Sequence, residues 1–471
     1  MSFIRYKQRG EKWYAYEVTN VWDKELKKYK QTNVYLGISA QKGGDVRRVK
    51  TCKNQAVEKE ILDYGDVFSI SKSSELMGIS KIISESFKDA DSIMSLICYQ
   101  LTSGSAMYNC QDWFDGNIAC KLFPNAKLSS QSISKLINNL GEESAQRNFF
   151  KKYISTFFKD KHGILIDSSA LPNSINASLS GWGHTASGIE QKVGCLLLVD
   201  KISKLPIFFR AIPGEIPDIS TLKNTLDEVQ SLGLKTEQAI FDAGYFSENN
   251  IKFLCERRVN FLSRMPKSRL AFQQLVGDAQ GIENPNNAVQ YGNRVVFIES
   301  KEVDLYGYKM FVYVILDPEK KAKDTKLMFL ESFQNPTEYV DLDKKMKTCG
   351  IFALVSSQKI EKNEVLPNYY TRQAIEQVFG FSKTNSILPL RVHSNQSING
   401  YLLLFFLSLI IFIQMRQKLI KHEITLENAL MILRNLKAKV FDERIVPQEI
   451  TKKTREILLA LGVTVPTSPG I

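Results

Sequence analysis

Short apolar runs, each followed by small or polar residues, recur between residues 160 and 265 of the chain. Runs of this length predict buried strands, here at 163–167, 194–200, 206–211, 238–242 and 260–264. Helical periodicity between them predicts helices at about 218–232 and 247–257. Three successive strands, followed by two strands that each come after a helix, predict an α/β domain with a mixed sheet flanked by helices.

The pattern changes on both sides of this segment. Residues 1–60 combine β-prone aromatic stretches with basic residues and predict a basic β-hairpin, whereas 61–158 are predicted to be helical. Residues from about 265 to 349 contain the β-rich runs Val295–Ile298 and Tyr308–Leu316, and they predict a β-rich insertion before a strand at 350–356 returns to the sheet. Residues 416–471 are predicted to form a C-terminal helical region.

One segment, Tyr401–Met415, is apolar over almost its whole length. It is shorter than the ~20 residues that a helix needs to cross a bilayer. The segment therefore predicts a core helix packed behind the sheet, and we expect no membrane partner.

A short helix is predicted over residues 128–137, with a serine as its N-terminal cap and Gly141 as its stop. Its Ser, Gln and Lys side chains suit a helix that enters a DNA groove. The same residue types are common on helices that only pack against their neighbours. The sequence leaves both interpretations open, and residues 61–158 are a candidate DNA-binding region.

Two predicted strands end in an aspartate that small residues follow: Asp167 after Gly163–Ile166, and Asp242 after Gln238–Phe241. In open α/β sheets ligands bind beyond the carboxyl ends of the strands, so we expect the two carboxylates to converge there. Burying two like charges together is costly unless a divalent cation lies between them, and Mg²⁺ prefers such oxygen ligands. Either aspartate alone is also compatible with an ordinary helix cap or turn residue.

A third candidate group lies near the C-terminal third of the chain. Tyr369, Arg372, Glu376 and Lys383 recur at helical spacing. With ~100° between successive residues of an α-helix, their side chains are expected to project from one helix face. An exposed, ion-paired helix accounts for an arginine and a glutamate four residues apart, but not for a tyrosine and a lysine on the same stripe.

Composition favours a polyanionic partner. The 471-residue chain is 44% hydrophobic and has a formal net charge of +12, which suits a globular protein of two or more domains that binds nucleic acid, although a basic surface also promotes solubility. Residues 1–60 hold 14 Lys or Arg against 7 Asp or Glu, so more than half of the net charge lies there. The seven cysteines include no CxxC pair. We therefore expect neither a zinc site nor a disulfide framework, and the absence of a signal-peptide pattern favours a cytoplasmic location.

Together these motifs resemble those of bacterial insertion-sequence transposases of the DDE type, in the IS-four-like superfamily with a tyrosine-arginine-glutamate-lysine signature. That signature is Tyr, two residues, Arg, three residues, Glu, six residues and Lys, and residues 369–383 match it at all four positions. The contexts IDSSALPN and FDAGYFS resemble the strands that carry the family's first and second acids. The resemblance covers roughly residues 160–415. It implies a ribonuclease-H-like catalytic domain at 159–415 that contains the β-rich insertion.

The resemblance also implies a function: binding the terminal inverted repeats of an insertion sequence, then cutting and transferring DNA strands. Asp167, Asp242 and Glu376 would form the catalytic triad and hold two Mg²⁺ ions, which Mn²⁺ can replace. Tyr369, Arg372 and Lys383 would bind DNA phosphates near the scissile bond. The implied partners are double-stranded DNA, at the element ends and at the target, and a second copy of the chain in a synapsed homodimer. The implied location is the bacterial nucleoid.

Two other functions are compatible with this fold. A domesticated or inactive DNA-binding protein is expected to have lost at least one of the three acids, and all three are present. A structure-selective nuclease needs neither a basic N-terminal region nor an insertion at 265–349. The sequence therefore favours the active transposase.

Overall fold

The computed structural model describes residues 2–10, 12–23, 28–39, 41–44, 46–48, 59–172, 177–185, 188–214, 218–278, 281–334, 342–384, 392, 394–441 and 444–464. These residues divide into two compact units. One contains the described residues within 1–60 and 439–446, and the other contains those within 61–438 and 447–469.

The first unit is built on a four-stranded sheet in the order β1-β2-β3-β4. Its strands are β1 (Ser2–Arg9), β2 (Lys12–Asp23), β3 (Lys28–Ser39) and β4 (Arg47–Arg48). All of the pairs are antiparallel, and the pairing of β2 with β3 shifts register between Ala15 and Tyr16. Such a β-bulge increases the local twist of the sheet. Where the sequence predicts a hairpin, the structure thus has four strands.

Helices dominate residues 61–158. The strand β5 (Glu60–Asp63) precedes α1 (Gly65–Leu76), α2 (Ile79–Ser86), α3 (Ala90–Thr102), α4 (Cys110–Asp115), α5 (Ala119–Leu122), α6 (Ser130–Leu140) and α7 (Glu143–Phe157). The helix predicted at 128–137 is confirmed as α6. The hydroxyl of Ser129 accepts a hydrogen bond from the N–H of Ser132 at 3.3 Å, which satisfies one of the free amides of the first turn.

One face of α6 packs against the protein, because Ile133, Leu136 and Ile137 are buried. The approach is close enough to require glycine on the facing helix: a Cβ added to Gly400 would lie 1.8 Å from the carbonyl oxygen of Ile137. The other face of α6, which includes Gln131, is exposed. Packing therefore explains the apolar face, and groove binding stays a prediction for the exposed face.

A ten-stranded mixed sheet lies in the second unit. Its strands are β6 (Lys161–Pro172), β7 (Gly181–Thr185), β8 (Gly188–Asp200), β9 (Pro206–Pro213), β10 (Lys235–Phe241), β11 (Asn260–Met265), β12 (Ala288–Tyr291), β13 (Arg294–Leu305), β14 (Tyr308–Leu316) and β15 (Ile351–Ser356). The strands predicted from apolar runs are neighbours in the order β9-β8-β6-β10-β11. β10 is parallel to β6 and to β11, whereas β8 is antiparallel to β6 and β9.

Helices precede, connect and follow the strands of this sheet. They are α8 (Leu222–Ser231), α9 (Glu248–Glu256), α10 (Leu270–Asp278), α11 (Pro318–Gln334), α12 (Leu342–Lys347), α13 (Lys362–Tyr370), α14 (Gln373–Thr384) and α15 (Asn395–Ile420). The helices predicted at about 218–232 and 247–257 correspond to α8 and α9. The predicted α/β class, with a large mixed sheet flanked by helices, is confirmed.

The segment predicted as a β-rich insertion does not form a sheet of its own. Its strands β12, β13 and β14 extend the central sheet, because β14 pairs with β15 and places Leu316 opposite Ile351. The same segment also contains α10, α11 and α12. The apolar pattern of β14 was visible in the sequence, but its pairing with β15 depends on residues far apart in the chain.

The apolar segment Tyr401–Met415 lies within α15. This helix is long and apolar enough, by length and composition, to cross a membrane, but 83% of its most apolar window is buried inside the protein. The ring of Phe406 lies 5.3 Å from that of Phe150 on α7 and 5.6 Å from that of Phe209 on β9. The prediction of a core helix is therefore confirmed.

The last described elements are α16 (Leu426–Arg434), β16 (Lys437–Val440), β17 (Ile445–Pro447) and α17 (Lys452–Ala460). The C-terminal region predicted as helical thus also contains two short strands among its described residues. All six described cysteines are free thiols.

Candidate active site

Asp167 and Asp242 lie at the same level of two neighbouring strands. β6 and β10 are parallel, with Ile166 opposite Phe241, so each aspartate is the next residue along its chain. Asp167 lies within β6, which continues to Pro172, whereas Asp242 follows the end of β10. The structure therefore brings the first two candidate acids side by side on neighbouring central strands, but the prediction that Asp167 ends its strand is wrong.

The tyrosine-arginine-glutamate-lysine signature is divided between two helices. Tyr369 lies in the last turn of α13, Arg372 lies between the helices, and Glu376 and Lys383 belong to α14. The prediction that all four project from one unbroken helix is therefore wrong. The break nevertheless leaves Tyr369, Arg372 and Glu376 beside the two aspartates.

The backbone is wound more tightly at this break. The N–H of Arg372 bonds to the carbonyl of Tyr369 at 3.2 Å. This three-residue spacing is that of a 3₁₀ turn, which is tighter than an α-helical turn.

The guanidinium of Arg372 contacts all three candidate acids. Its Nη1 lies 2.6 Å from Oδ2 of Asp167. Its Nη2 lies 3.5 Å from Oδ2 of Asp242 and 3.7 Å from Oε1 of Glu376. The side chain of Asp167 is 17% exposed and that of Glu376 is 58% exposed. Three carboxylates from distant parts of the chain thus converge on one cation, with Glu376 on the solvent side.

Tyr369 adds a neutral donor to this cluster. Its hydroxyl donates a hydrogen bond of 2.9 Å to Oδ1 of Asp242. The side chain is buried, and the guanidinium of Arg372 lies 5.8 Å from the centre of its ring. Burial and the negative charge of Asp242 raise the pKa of the hydroxyl. Tyr369 therefore keeps its proton at physiological pH and stays available to donate.

The two aspartates differ in how well their charge is compensated. Burial raises the pKa of Asp167 to about 6, although Arg372 and the N–H of Ser168 act in the opposite direction. Burial also acts to raise the pKa of Asp242, but the N–H of Ala243, the charge of Arg372 and the hydroxyl of Tyr369 together lower it below its usual value. One guanidinium therefore does not offset the cost of ionising Asp167 in this cluster.

Arg264 is a basic residue of this region that sequence patterns did not single out. It lies near the end of β11, where Ser263 is opposite Phe241 in parallel register. Its charge acts to lower the pKa of both Asp242 and Tyr369. The available signal was its place at the end of the strand predicted at 260–264.

Lys383 is part of α14, but its side chain lies outside the described residues. The structure therefore brings together five of the six candidate site residues, and the position of the Lys383 side chain stays a prediction.

No cluster of three His, Cys, Asp or Glu side chains among the described residues is arranged to hold a metal ion. The three candidate acids are instead arranged around Arg372. The donor set still fits a hard divalent cation, because it consists of carboxylates without thiols. One further feature agrees with this fit: ionisation of Asp167 is costly in the cluster, and a bound cation would offset that cost. The buried Nε of Arg372 has no hydrogen-bond partner among the described residues, and as a donor it suits an anion such as phosphate.

Two comparisons with known proteins give matches to this chain. Residues 159–411 match the family model for the transposase DDE domain. A similar solved structure is the cryo-EM structure of the piggyBac transposase synaptic complex with hairpin DNA, with 12% sequence identity and a TM-score of 0.40 over 79% of this chain and 70% of that chain. No curated protein matches the chain significantly. The family model spans more than half of the chain, including the three acids that meet at Arg372. The protein therefore belongs to the transposase DDE domain family and is a transposase that acts in DNA transposition.

Proposed function

We propose that this protein binds the terminal inverted repeats of an insertion sequence and catalyses metal-dependent cleavage and transfer of DNA strands. The observation that supports this proposal is the convergence of Asp167, Asp242 and Glu376 on the single cation of Arg372. An ion-paired helix face or a helix cap does not require three carboxylates from separate elements to meet at one place. A centre that binds divalent cations does require such a cluster of carboxylates.

Asp167, Asp242 and Glu376 would hold two Mg²⁺ ions, or Mn²⁺ in their place, with their carboxylate oxygens. The bound cations would supply Lewis-acid stabilisation of the phosphodiester oxygens. Positive charge at this place reduces the cost of ionising Asp167. It also competes with Arg372 for the same carboxylates.

Arg372 is then free to bind DNA. Its paired N–H donors match the oxygens of a phosphate group. Lys383 would add a point charge nearby, and Tyr369 would hold Asp242 in position through its hydroxyl. In this proposal the arginine neutralises the acids before DNA binds and contacts phosphate afterwards.

Several finer features belong to the same proposal. The signature at 369–383 supports membership of the IS-four-like superfamily, and the strand order β9-β8-β6-β10-β11 supports a ribonuclease-H-like catalytic domain at 159–415. Residues 61–158 would bind the DNA ends. Joining two ends requires a homodimer on double-stranded DNA, which we place at the nucleoid in the bacterial cytoplasm.

The test uses the full-length protein and duplex DNA that carries the sequences flanking its gene. Asp167→Asn, Asp242→Asn and Glu376→Gln are expected to abolish Mg²⁺-dependent strand cleavage, while binding of the end DNA in a gel-shift assay stays largely intact. Glu364→Gln is the matched control, because Glu364 is an exposed acid on α13, and it should cleave normally.

Cleavage at the wild-type rate by any one of the three triad variants would refute the assignment of that residue. Binding of the end DNA without cleavage by the wild-type protein, in Mg²⁺ and in Mn²⁺, would instead support an inactive DNA-binding protein.

A further inference from the structure

One face of the N-terminal sheet carries a row of tyrosines and basic residues. Cross-strand pairing places Arg5 opposite Tyr16, and Tyr16 opposite Tyr35, so three strands contribute to this row. In the next row Lys7 is opposite Tyr14. Trp22 lies on the same face, because alternate residues of a strand point to the same side. We call Arg5, Lys7, Tyr14, Tyr16, Trp22 and Tyr35 the aromatic face.

The tyrosine rings form one continuous patch. The ring of Tyr35 lies 5.3 Å from that of Tyr16 and 6.1 Å from that of Tyr14. The ammonium of Lys7 lies 5.8 Å from the centre of the Tyr16 ring. Tyr35 is 38% exposed and Trp22 is 49% exposed. Tyr14 and Tyr16 are half-buried beside Tyr35, so this patch of rings is partly open to a binding partner.

Charge identifies the chemistry of that partner. Among the described residues of β1, β2 and β3, the strand register places no Asp or Glu on the aromatic face, since Glu17 pairs with Ile4 and Val34 on the opposite face. Aromatic rings next to cations form the surface on which single-stranded nucleic acids bind: bases stack on the rings and phosphates pair with the cations. The residues of this face match both parts of such a ligand.

We propose that the aromatic face binds single-stranded DNA, with bases stacked on Tyr14, Tyr16 and Tyr35 and phosphates paired with Arg5 and Lys7. Spacing favours a single strand over a duplex. The rings of Tyr16 and Tyr35 are 5.3 Å apart and those of Tyr14 and Tyr35 are 6.1 Å apart, well above the ~3.4 Å between bases along one strand of a duplex. Only an unpaired strand separates its bases far enough to reach successive rings.

This inference does not depend on the metal-binding triad. It assigns a ligand to the basic N-terminal region of this DNA transposase, namely DNA whose bases are unpaired.

Fluorescence anisotropy with the full-length protein tests the proposal. The probes are a labelled 20-nucleotide oligothymidine, a duplex of the same length, and oligouridine of the same length. The double variant Tyr16→Leu/Tyr35→Leu is expected to weaken oligothymidine binding by about tenfold or more, since each stacked base loses its platform. Binding of the duplex should change by less than about twofold, because it depends mainly on phosphate contacts.

Two control variants separate stacking from folding. Tyr16→Phe/Tyr35→Phe keeps both rings and should bind oligothymidine as the wild-type protein does. Tyr6→Leu replaces a tyrosine that pairs with Ala15 and lies on the opposite face of β1, so it should also bind normally. Thermal unfolding of all the variants reports whether the sheet remains folded.

Wild-type affinity of the double leucine variant for oligothymidine would overturn the proposal, as would an equal loss caused by Tyr6→Leu. Tighter binding of oligouridine than of oligothymidine would show that the ligand is RNA and would overturn it as well. Loss of oligothymidine binding by the double leucine variant tests this inference, whereas Mg²⁺-dependent cleavage by the triad variants tests the proposed catalytic function, so the failure of one and the failure of the other give different results.

Discussion

Arg372 and Asp167 are 205 positions apart in the sequence, yet Nη1 of the arginine lies 2.6 Å from Oδ2 of the aspartate. The same guanidinium contacts Asp242 and Glu376. One side chain therefore joins two strands of the central sheet to α14. Because it also compensates three negative charges, the stability of the site and its affinity for cations are linked through Arg372.

Replacing Arg372 is expected to reveal this link. In the presence of a chelator, Arg372→Gln leaves the three carboxylates with neither a metal ion nor the guanidinium that they share. We expect the free energy of unfolding to fall by about 3 kcal/mol. Mg²⁺ should restore more stability to the variant than it adds to the wild-type protein, because no arginine competes for the acids. Chemical denaturation with and without Mg²⁺ measures both quantities.

Arg257→Gln provides the control for this variant. Arg257 pairs with Asp227 at 2.6 Å, and the two side chains are 44% and 36% exposed; such surface pairs contribute less than about 1 kcal/mol. An equally small effect of Arg372→Gln, or the same response of both variants to Mg²⁺, would show that Arg372 does not hold the acids together.

The raised pKa of Asp167 predicts a pH dependence of stability in the absence of metal. Its pKa in the folded protein is about 6, above the ~3.9 of an unfolded chain. The folded state therefore binds the proton more tightly, and the free energy of unfolding should fall as the pH rises from about 4 to about 6. The change over this window is about 3 kcal/mol.

The comparison is with Asp167→Asn, which cannot ionise at this position. With a chelator present, the stability of the variant relative to the wild-type protein should increase across the same window and level off above it. A difference that stays constant between pH 4 and pH 7 would contradict the raised pKa. Adding Mg²⁺ should reduce the slope, because cation binding requires the ionised carboxylate.

The sequence was most informative where chemistry is local. An apolar run that leads into Asp167 or Asp242 predicts a buried strand, and the parallel register of β6 and β10 then aligns the two acids, although β6 continues past Asp167 to Pro172. The break between α13 and α14 was not predicted, because the spacing of Tyr369 and Glu376 fits one helix equally well. The role of Arg372 as common partner of all three acids also depends on contacts between distant segments. No local pattern contains that information.

The hydrogen bond from Tyr369 to Asp242 predicts a second effect of pH. Tyr369→Phe removes a buried donor to a carboxylate, at a cost of about 1 to 2 kcal/mol near neutral pH. The pKa of Asp242 is lowered in the folded protein, so its stabilising contribution is present above the unfolded pKa and is lost as the pH falls through the folded pKa. The destabilisation by Tyr369→Phe should therefore disappear in acid.

Denaturation of Tyr369→Phe from neutral pH down to about pH 3 tests this expectation. Tyr370→Phe is the natural control, because its hydroxyl is adjacent in sequence but makes no hydrogen bond to Asp242. A loss of stability that is the same at both ends of the pH range would mean that Tyr369 contributes through packing alone.

The contact between α6 and α15 predicts a strict requirement for glycine at position 400. In Gly400→Ala the new methyl group would lie 1.8 Å from the carbonyl oxygen of Ile137, so the two helices must separate. We expect the free energy of unfolding to fall by about 3 kcal/mol, as in other overpacked cores.

Gly277→Ala is the matched substitution in a helix with open space, since a Cβ there has no neighbour within 4 Å. Alanine favours a helix over glycine by about 0.5 to 1 kcal/mol, so this variant should be as stable as the wild-type protein or slightly more stable. Thermal or urea denaturation of the two variants distinguishes them. If Gly400→Ala were as stable as Gly277→Ala, the close approach of α15 to the backbone of α6 would be excluded, and with it the fixed position of α6 against the protein.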